Sequence, residues 1–372
     1  MTTASSPASP VSVGIVGTGW RADFFAKLAL ALPDQLTLVG VVSRRPESAE
    51  RAAKSWGVTA HATPADLVRA ERPDFVVSSV PWGANPAVVQ ELVEAGTAVL
   101  TETPPAPDLN GLRGLWSAVG GTQRVQVAEQ YLKVPAHAAR RAVVAAGTIG
   151  TATSVQVSST HGYHAVSMMR GFLGAQGDKV GTGPVTVSAR TFTAPLVDPL
   201  RRDAWTDDDT PKPATTTLAT LDFGDGRSGL YDFTDNQWHN QLRFRRILIR
   251  GSLGEISGDE VIRLAEPHAI VQSTIRRYQV GHDLNLDGHD TEHLSVDGRV
   301  VYRNPFFGQR WMDEEIAIAS MMVDTAAWVR DEGPAPYPLA DGCQDHLLSL
   351  AIDEASATGE DVTTSVEDWS KA

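Results

Sequence analysis

Near the start of the sequence, a glycine-containing segment has the spacing needed to hold a nucleotide. Gly17, Gly19 and Ala22 directly follow the apolar run 11–16 and open an amphipathic segment. In such a strand–turn–helix unit the first glycine permits a tight turn, and the second lets the backbone approach a pyrophosphate. The small third residue lets the helix pack on the strand. A glycine turn without a ligand is the alternative, but the strand–turn–helix context favours a dinucleotide site.

The residues after the second predicted strand favour the phosphorylated form of a nicotinamide dinucleotide. NAD enzymes prefer an acidic residue here for the ribose hydroxyls, whereas this sequence reads Ser43, Arg44, Arg45. A hydroxyl beside guanidinium groups suits a ribose 2′-phosphate, because arginine binds phosphate through paired hydrogen bonds. The sequence therefore predicts NADP(H) in preference to NAD(H). The alternative is that both arginines are solvated charges at a strand end.

The hydropathy pattern shows which elements must position these residues. Between residues 11 and 133, short apolar runs alternate with amphipathic segments, three of which end in glycine. β-Branched runs separated by helices are typical of parallel strands covered on both faces. This part is predicted to be an α/β Rossmann-type domain with a doubly wound parallel sheet. The strands are predicted at 11–16, 36–43, 74–81, 98–102 and 124–131.

The pattern changes after about residue 150. Apolar and polar residues now alternate, as they do in half-buried antiparallel strands. Residues 134–372 are predicted to be a C-terminal α+β domain with an open, mainly antiparallel sheet, whose terminal helix packs back. Residues 266–300 are a polar stretch with little periodic signal, whose His-rich part at 281–293 is interpreted as loop, and residues 1–10 are interpreted as a disordered tail.

Composition excludes several classes of function. The formal net charge of −13 argues against binding to nucleic acid or to an anionic membrane surface. The single cysteine, Cys343, excludes an intramolecular disulfide and a cysteine-based zinc site. The His and Asp spacing in the His-rich part matches no helix-face metal pair, so no metal is predicted. The first residues lack the features of a secretory signal, which favours a cytoplasmic protein.

Several segments together resemble the Gfo/Idh/MocA oxidoreductase family over about residues 11–366. They are "VGIVGTGWRA", "VVSRRPESAERAAKSWGV", "VLTETPPAPD", "PAHAARRAVVAAGTIGTATSVQVS", "HAVSMMRGFLG" and "DGCQDHLLSLAIDEASATGEDV". The resemblance implies a Rossmann domain and a second domain whose open sheet faces the cofactor and often mediates oligomerisation, here a homodimer or homotetramer. It also implies hydride transfer to or from a carbon of a sugar, a polyol or a related compound.

Taken residue by residue, the resemblance also shows where this chain departs from the family. The family's Glu-Lys-Pro motif reads Glu102-Thr103-Pro104, so the usual catalytic lysine is a threonine. Thr160 and Ser167 occupy positions where members often carry carboxylates, and Asn85 occupies the position of a frequent histidine. Of the usual Lys, Asp and His group only His164 remains. The full set of predicted cofactor-binding residues is Gly17, Thr18, Gly19, Trp20, Arg21, Ala22, Ser43, Arg44, Arg45, Pro81, Trp82, Asn85, Glu102 and Thr103.

The segment "STHGYHAVSMMR" offers a replacement for the missing acid/base chemistry. His164 is the candidate general acid/base, since histidine is the residue type that titrates near neutral pH. Tyr163 and His161 are the candidates for holding the substrate oxygen, and each has a purely structural role as its alternative. Candidate substrate-binding residues are Glu129, Tyr131, Arg170 and Asp232.

Three functions remain open at this point. The leading one is an NADP(H)-dependent oxidoreductase that transfers hydride between the nicotinamide and a carbonyl or alcohol carbon of a sugar-like substrate. The second is a nicotinamide enzyme without net redox, in which transient oxidation allows elimination or epimerisation. The third is a nucleotide-binding protein that has lost its catalytic lysine and is not an enzyme.

Overall fold

The computed structural model describes residues 9–200, 204–281 and 288–372. These form two compact units: one extends to Gln130 and includes Ala317–Cys343, and the other comprises Tyr131–Ile316 and Gln344–Ala372. The sequence analysis instead placed one boundary after residue 133. The segment 317–343 joins the first unit through non-local backbone contacts, because the Val127 N–H donates to the Tyr337 carbonyl at 2.8 Å. Local periodicity carries no signal for such a contact.

The first unit is built on a parallel sheet with helices between its strands. Its elements are β1 (Val11–Val16), α1 (Trp20–Ala31), β2 (Leu36–Val42), α2 (Pro46–Trp56), β3 (Thr59–His61), α3 (Pro64–Glu71), β4 (Phe75–Ser78), α4 (Asn85–Glu94), β5 (Ala98–Thr101), α5 (Leu109–Val119) and β6 (Val125–Val127). The strand order is β3-β2-β1-β4-β5-β6. This confirms the predicted Rossmann-type fold. The short β3 was not predicted, because its three residues are too few to show a period.

The β-branched and aromatic residues of these strands explain the sheet. Val13, Ile15, Phe75 and Val77 are fully buried, so both faces of the central strands are covered. Each such side chain contributes about 1.5–3 kcal/mol through its removal from water. The strand order places β1 beside β4. Because these two strands are parallel, their carboxyl ends lie at the same end of the sheet.

The second unit is built on a larger, mostly antiparallel sheet. Its elements are α6 (Pro135–Ala145), β7 (Ala152–Ser158), α7 (Gly162–Leu173), β8 (Thr186–Leu196), β9 (Lys212–Gly224), β10 (Arg227–Thr234), β11 (Arg246–Gly251), β12 (Gly254–Ser257), β13 (Glu260–Glu266), β14 (Ala269–Thr274), β15 (Arg276–Val280), β16 (Asp290–Val296), β17 (Arg299–Arg303) and β18 (Val362–Thr363). Helices α8 (Asp313–Val329) and α9 (Leu339–Thr358) contribute residues to both units.

The large sheet has the strand order β14-β13-β12-β11-β7-β10-β9-β8-β18, and β15, β16 and β17 form a separate sheet. Neighbouring strands are antiparallel except for β7 and β10, which pair in parallel. The predicted open, mainly antiparallel sheet is thus confirmed. Helix α7 packs on this sheet through Met168, Met169 and Phe172, which are buried with Val155 and Val157 of β7.

The interpretation of the His-rich part at 281–293 as loop was wrong for residues 290–293, which belong to β16, and the polar stretch 266–300 around it also contains strands. β14, β15 and β16 lie in this stretch, while residues 282–287 of the His-rich part are outside the described residues. The strands escaped detection because β15 is exposed along most of its length. An exposed strand has no apolar face and so no apolar alternation in its sequence. Among the helices that the structure describes, none has the length and apolar character to cross a membrane.

Candidate cofactor and substrate sites

The glycine turn between β1 and α1 has the backbone geometry of an anion cradle. Gly17 has φ +126°, and a Cβ there would lie 2.0 Å from the Ser79 carbonyl oxygen, so only glycine fits. Gly19 precedes α1 in an extended conformation, and a Cβ there would meet no heavy atom of the described residues within 4 Å. Open space thus borders the N-terminus of a twelve-residue helix, where N–H groups and the helix dipole favour an anion. The turn therefore fits a dinucleotide phosphate.

The other residues of the turn divide between the core and the surface. Ala22 is fully buried against the sheet, whereas Trp20 is exposed. The Thr18 hydroxyl donates to Ser43 Oγ at 3.2 Å and so connects the turn to the end of β2. Arg44 and Arg45 follow as exposed side chains. Because β1 and β2 are parallel neighbours, Ser43, Arg44 and Arg45 follow β2 at the same end of the sheet as the glycine turn.

A buried ion pair connects the start of α1 to the end of β5. Arg21 Nε donates to Glu102 Oε1 at 2.8 Å, and both side chains are mostly buried. The other carboxylate oxygen accepts from the backbone N–H of Thr103 at 3.3 Å. The carboxylate of Glu102 thus holds the turn that contains Thr103, whose peptide bond to Pro104 is cis. Glu102 and Arg21 therefore shape this edge of the first unit.

The side chain of Asn85 forms hydrogen bonds within the first unit. Its side chain is buried; its Oδ1 accepts from the Ser78 hydroxyl at 2.7 Å, and its Nδ2 donates to Thr101 Oγ1 at 2.7 Å and to the Pro105 carbonyl at 2.9 Å. These bonds tie the ends of β4 and β5 to the turn that follows β5. The buried amide of Asn85 thus stabilises the turn after β5. The neighbouring residues Pro81 and Trp82, also predicted to bind cofactor, are exposed.

In the second unit, the residues predicted to be catalytic form one cluster of rings at the start of α7. The His164 ring lies 4.5 Å from the ring of Tyr131, 5.0 Å from that of His161 and 5.3 Å from that of Tyr163, between centroids. Thr160 Oγ1 donates to the Tyr131 hydroxyl at 2.8 Å. His164 is half-buried, His161 is exposed and Tyr163 is buried. This group, Tyr131, His161, Tyr163 and His164, is called the ring cluster below.

The sequence analysis missed two further histidines beside the ring cluster. His137 of α6 lies 6.5 Å from the Tyr131 ring, and His346 of α9 lies 6.0 Å from the Tyr163 ring. The sequences of α6 and α9 contain no local motif that marks either histidine. Only the packing of α6 and α9 brings them to the cluster.

His137 is held in its neutral form. Burial, with the positive charges of Arg140 and Arg245, lowers the pKa of His137 to about 3. Its Nδ1 lies 2.9 Å from Arg140 Nη1, and because a guanidinium can only donate, this nitrogen is the acceptor. A permanently neutral imidazole cannot exchange protons near neutral pH. His137 therefore supports the cluster as a packing residue.

The remaining predicted substrate residues lie at separate places. Arg170 is buried, donates from Nε to the Val180 carbonyl at 2.8 Å and forms an ion pair with the fully buried Asp345. Asp232 of β10 accepts from the Ser158 hydroxyl at 3.2 Å. Glu129 is buried in the first unit, just after β6. The guanidinium of Arg170 thus serves the fold of the second unit, and only Tyr131 of this set belongs to the ring cluster.

No group of three or more His, Cys, Asp or Glu side chains within the described ranges could hold a metal ion. Cys343 is buried. The candidate chemistry of the chain therefore centres on the glycine turn in the first unit and on the ring cluster in the second.

Comparison with known proteins agrees with this description. The Gfo/Idh/MocA model, described as "Oxidoreductase family, NAD-binding Rossmann fold", matches residues 11–131. No curated protein matches the sequence.

Solved structures share the fold over nearly the whole chain. An NAD-binding oxidoreductase from Klebsiella pneumoniae is 17% identical with a TM-score of 0.69, covering 96% of this chain and 100% of its own. A levoglucosan dehydrogenase in complex with NADH and levoglucosan is 18% identical with a TM-score of 0.67, covering 95% and 99%. A myo-inositol dehydrogenase from Corynebacterium glutamicum is 19% identical with a TM-score of 0.64, covering 95% and 98%. Residues 11–131 thus match the NAD-binding Rossmann domain of the Gfo/Idh/MocA oxidoreductase family, and the chain as a whole shares its fold with these enzymes.

Proposed function

We propose that this protein is an NADP(H)-dependent oxidoreductase acting on a carbonyl or alcohol carbon of a sugar or similar small polar compound. The observation that carries the proposal is the glycine turn, where Gly19 leaves the N-terminus of α1 open to an anion. The family match over residues 11–131 supports the nicotinamide cofactor. The sugar and inositol dehydrogenases with the same fold support the substrate class.

The first unit supplies the binding groups for the nucleotide. The backbone at Gly17 and Gly19 receives the pyrophosphate, while Arg21 and Glu102 hold the surrounding turns in place. Ser43 with Arg44 and Arg45 receives the ribose 2′-phosphate, for which exposed guanidinium groups have the right charge and geometry. When bound, the nicotinamide supplies the hydride donor or acceptor.

The second unit supplies the proton. In the reductive direction His164 donates a proton to the substrate oxygen, and in the oxidative direction it accepts one. The Tyr131 ring beside it restricts the orientation of the imidazole. Tyr163 and His161 are the proposed partners for the substrate oxygen, and Glu129, Tyr131 and Asp232 the proposed substrate contacts. His164 takes over the proton transfer because Thr103, in place of the family lysine, carries no charge.

We expect the double variant Arg44→Ala/Arg45→Ala to lose its preference for NADPH. Two phosphate contacts are removed, so the dissociation constant for NADPH should rise about tenfold or more, while that for NADH stays within about twofold. Intrinsic tryptophan fluorescence would measure both. Arg69→Ala is the matched control, because Arg69 is a highly exposed arginine of the same unit in an ion pair with Asp66. Wild-type protein that binds NADH as tightly as NADPH would refute the cofactor preference.

We expect His164→Ala to lower kcat about 10²–10⁴-fold, the usual contribution of a positioned acid/base group, with the affinity for NADPH unchanged. NADPH consumption against a panel of ketoses and 3-keto sugars would measure it. His268→Asn is the control: His268 is exposed in the same unit, and asparagine tolerates its positive φ of 70°. Unchanged kinetics in His164→Ala would remove this residue from the mechanism.

Thr103 also favours two other functions: a nicotinamide enzyme without net redox, and a nucleotide-binding protein without activity. For an enzyme without net redox, turnover needs no added nucleotide, and mass spectrometry of the purified protein should find bound nucleotide. Inactivity of the wild type across broad substrate panels, together with intact NADPH binding, would support the nucleotide-binding protein.

A cytoplasmic location and assembly as a homodimer or homotetramer remain predictions.

A further inference from the structure

Helix α7 carries three residues of the ring cluster at its start, and this start lacks a capping side chain of its own. The first N–H groups of an α-helix have no partner within the helix, and a Ser, Thr, Asp or Asn just before the helix commonly accepts from one of them. In α7 this position is His161, and its side chain forms no capping hydrogen bond. An acceptor for the first turn must therefore come from another element.

Tyr231 of β10 supplies this acceptor. The N–H of Gly162, the first residue of α7, donates to the Tyr231 hydroxyl oxygen at 3.0 Å. β10 pairs in parallel with β7, and Tyr231 lies opposite Val157, one residue before the end of β7. Only residues 159–161 separate β7 from α7. A long side chain at this register therefore reaches the point where the chain passes from the sheet to the helix.

The ring of Tyr231 is itself held in place. Tyr231 is only 5% exposed, and its ring stacks on that of Phe233 with 5.9 Å between centroids and 13° between the planes. Burial, together with the negative charge of Asp353, raises the pKa of Tyr231. The phenol therefore stays neutral near neutral pH, and its oxygen is a fixed acceptor for the Gly162 N–H.

Two further contacts fix the backbone around Gly162. A Cβ at Gly162 would lie 2.5 Å from Ser349 Oγ, so α9 passes close to the first residue of α7. On the other side of His161, the fully buried Thr160 donates from Oγ1 to the Tyr131 hydroxyl at 2.8 Å. The start of α7 is thus held by two phenols, one on each side of His161, and it is packed against α9.

The position of the first turn determines where the His164 imidazole lies. His164 is two residues after Gly162 in the same turn, and its ring lies 4.5 Å from the Tyr131 ring and 5.3 Å from the Tyr163 ring, between centroids. A displaced helix start would change both distances. Misplacement of a catalytic group by about 1 Å can lower a rate about 10²-fold.

We propose that Tyr231 is a positioning residue for His164. Its hydroxyl oxygen holds the Gly162 N–H and so fixes the first turn of α7, which places the imidazole within the ring cluster. The effect of Tyr231 on turnover rests on the proposed function, in which His164 transfers the proton. Its effect on the geometry of the ring cluster does not depend on any activity.

The variant Tyr231→Phe removes the hydroxyl oxygen and keeps the ring. We expect kcat for NADPH consumption to fall about 10–100-fold, while the dissociation constant for NADPH is unchanged. In NMR spectra without substrate, the Hε1 signal of His164 should move, because the ring currents of Tyr131 and Tyr163 depend on distance. The signal of His268, an exposed histidine of the same unit, is the internal reference.

Tyr302→Phe is the matched control. The Tyr302 hydroxyl is also buried in the second unit, but it forms no hydrogen bond with the part of the chain that the structure describes. Its removal should leave kcat and the His164 signal unchanged. A variant that only loses stability, with wild-type kcat and an unmoved His164 signal, would show a purely structural role for Tyr231 and overturn the proposal.

A measurement on the wild type keeps the test decisive if Tyr231→Phe fails to fold. The Gly162 amide should resist hydrogen exchange, whereas the amide of Gly298, in an exposed turn, should exchange fast. Equal exchange at the two glycines would overturn the proposal. If the wild type is inactive against every substrate, the proposed function fails, and the His164 signal in Tyr231→Phe still decides whether Tyr231 positions the imidazole.

Discussion

The variant Gly17→Ala should lose nucleotide binding and destabilise the first unit by at least about 3 kcal/mol, the upper range for a residue forced into a disfavoured backbone conformation. Gly17 has φ +126°, and the added Cβ would meet the carbonyl oxygen of Ser79 at 2.0 Å. That oxygen belongs to the backbone and cannot rotate away like a side chain. The turn must therefore open, and the N–H groups that face the pyrophosphate move with it. Urea unfolding and NADPH titration would measure the two effects.

Gly19→Ala is the matched control for Gly17→Ala. Gly19 has an ordinary φ of −75°, and its Cβ would enter open space, so the free energy of unfolding should change by less than about 0.5 kcal/mol. NADPH affinity should nevertheless fall, because a methyl group would occupy the surface on which the pyrophosphate lies. Unchanged NADPH affinity in Gly19→Ala would contradict the proposed position of the cofactor. Equal stability of the two variants would contradict the strain at Gly17.

Breaking the pair of Arg170 and Asp345 should have the other large effect, a loss of about 3–5 kcal/mol in the free energy of unfolding of the second unit. Both side chains are buried, Asp345 completely. In Arg170→Met the carboxylate loses its arginine, and the Val180 carbonyl loses the donor that lies 2.8 Å away. A buried carboxylate without this compensation strongly destabilises the folded state. Chemical denaturation monitored by circular dichroism would measure the loss.

The double variant Arg170→Met/Asp345→Leu should recover much of this loss, because replacing both charges with apolar groups removes the desolvation penalty. The exposed pair of Arg250 and Glu255 provides the control, with Arg250 Nε 3.2 Å from Glu255 Oε2. Arg250→Met should cost no more than about 1 kcal/mol. A loss in Arg170→Met as small as in Arg250→Met would show that the buried pair contributes little, and it would reopen Arg170 as a substrate contact.

The helices and strands of the first unit were predictable because their signals are local. A run such as Val11–Val16 is apolar at most of its positions because it is buried on both faces, and a glycine follows α2 because Gly57 adopts a positive φ of 71°. Gly17 and Gly19 could be recognised for the same reason, since the turn, the strand before it and the helix after it are contiguous. Short or exposed strands, such as Thr59–His61 and Arg276–Val280, lack that signal.

The amino-acid sequence by itself thus determined the Rossmann unit, the position of the glycine turn and the candidate segment around His164. Only the tertiary structure decided which distant residues meet: Arg170 with Asp345, and His137 and His346 with the ring cluster. The packing of helices α6, α7 and α9 brings these residues together. Contact between residues far apart in the chain leaves no period in the sequence around either one, so their roles become visible only in the folded protein.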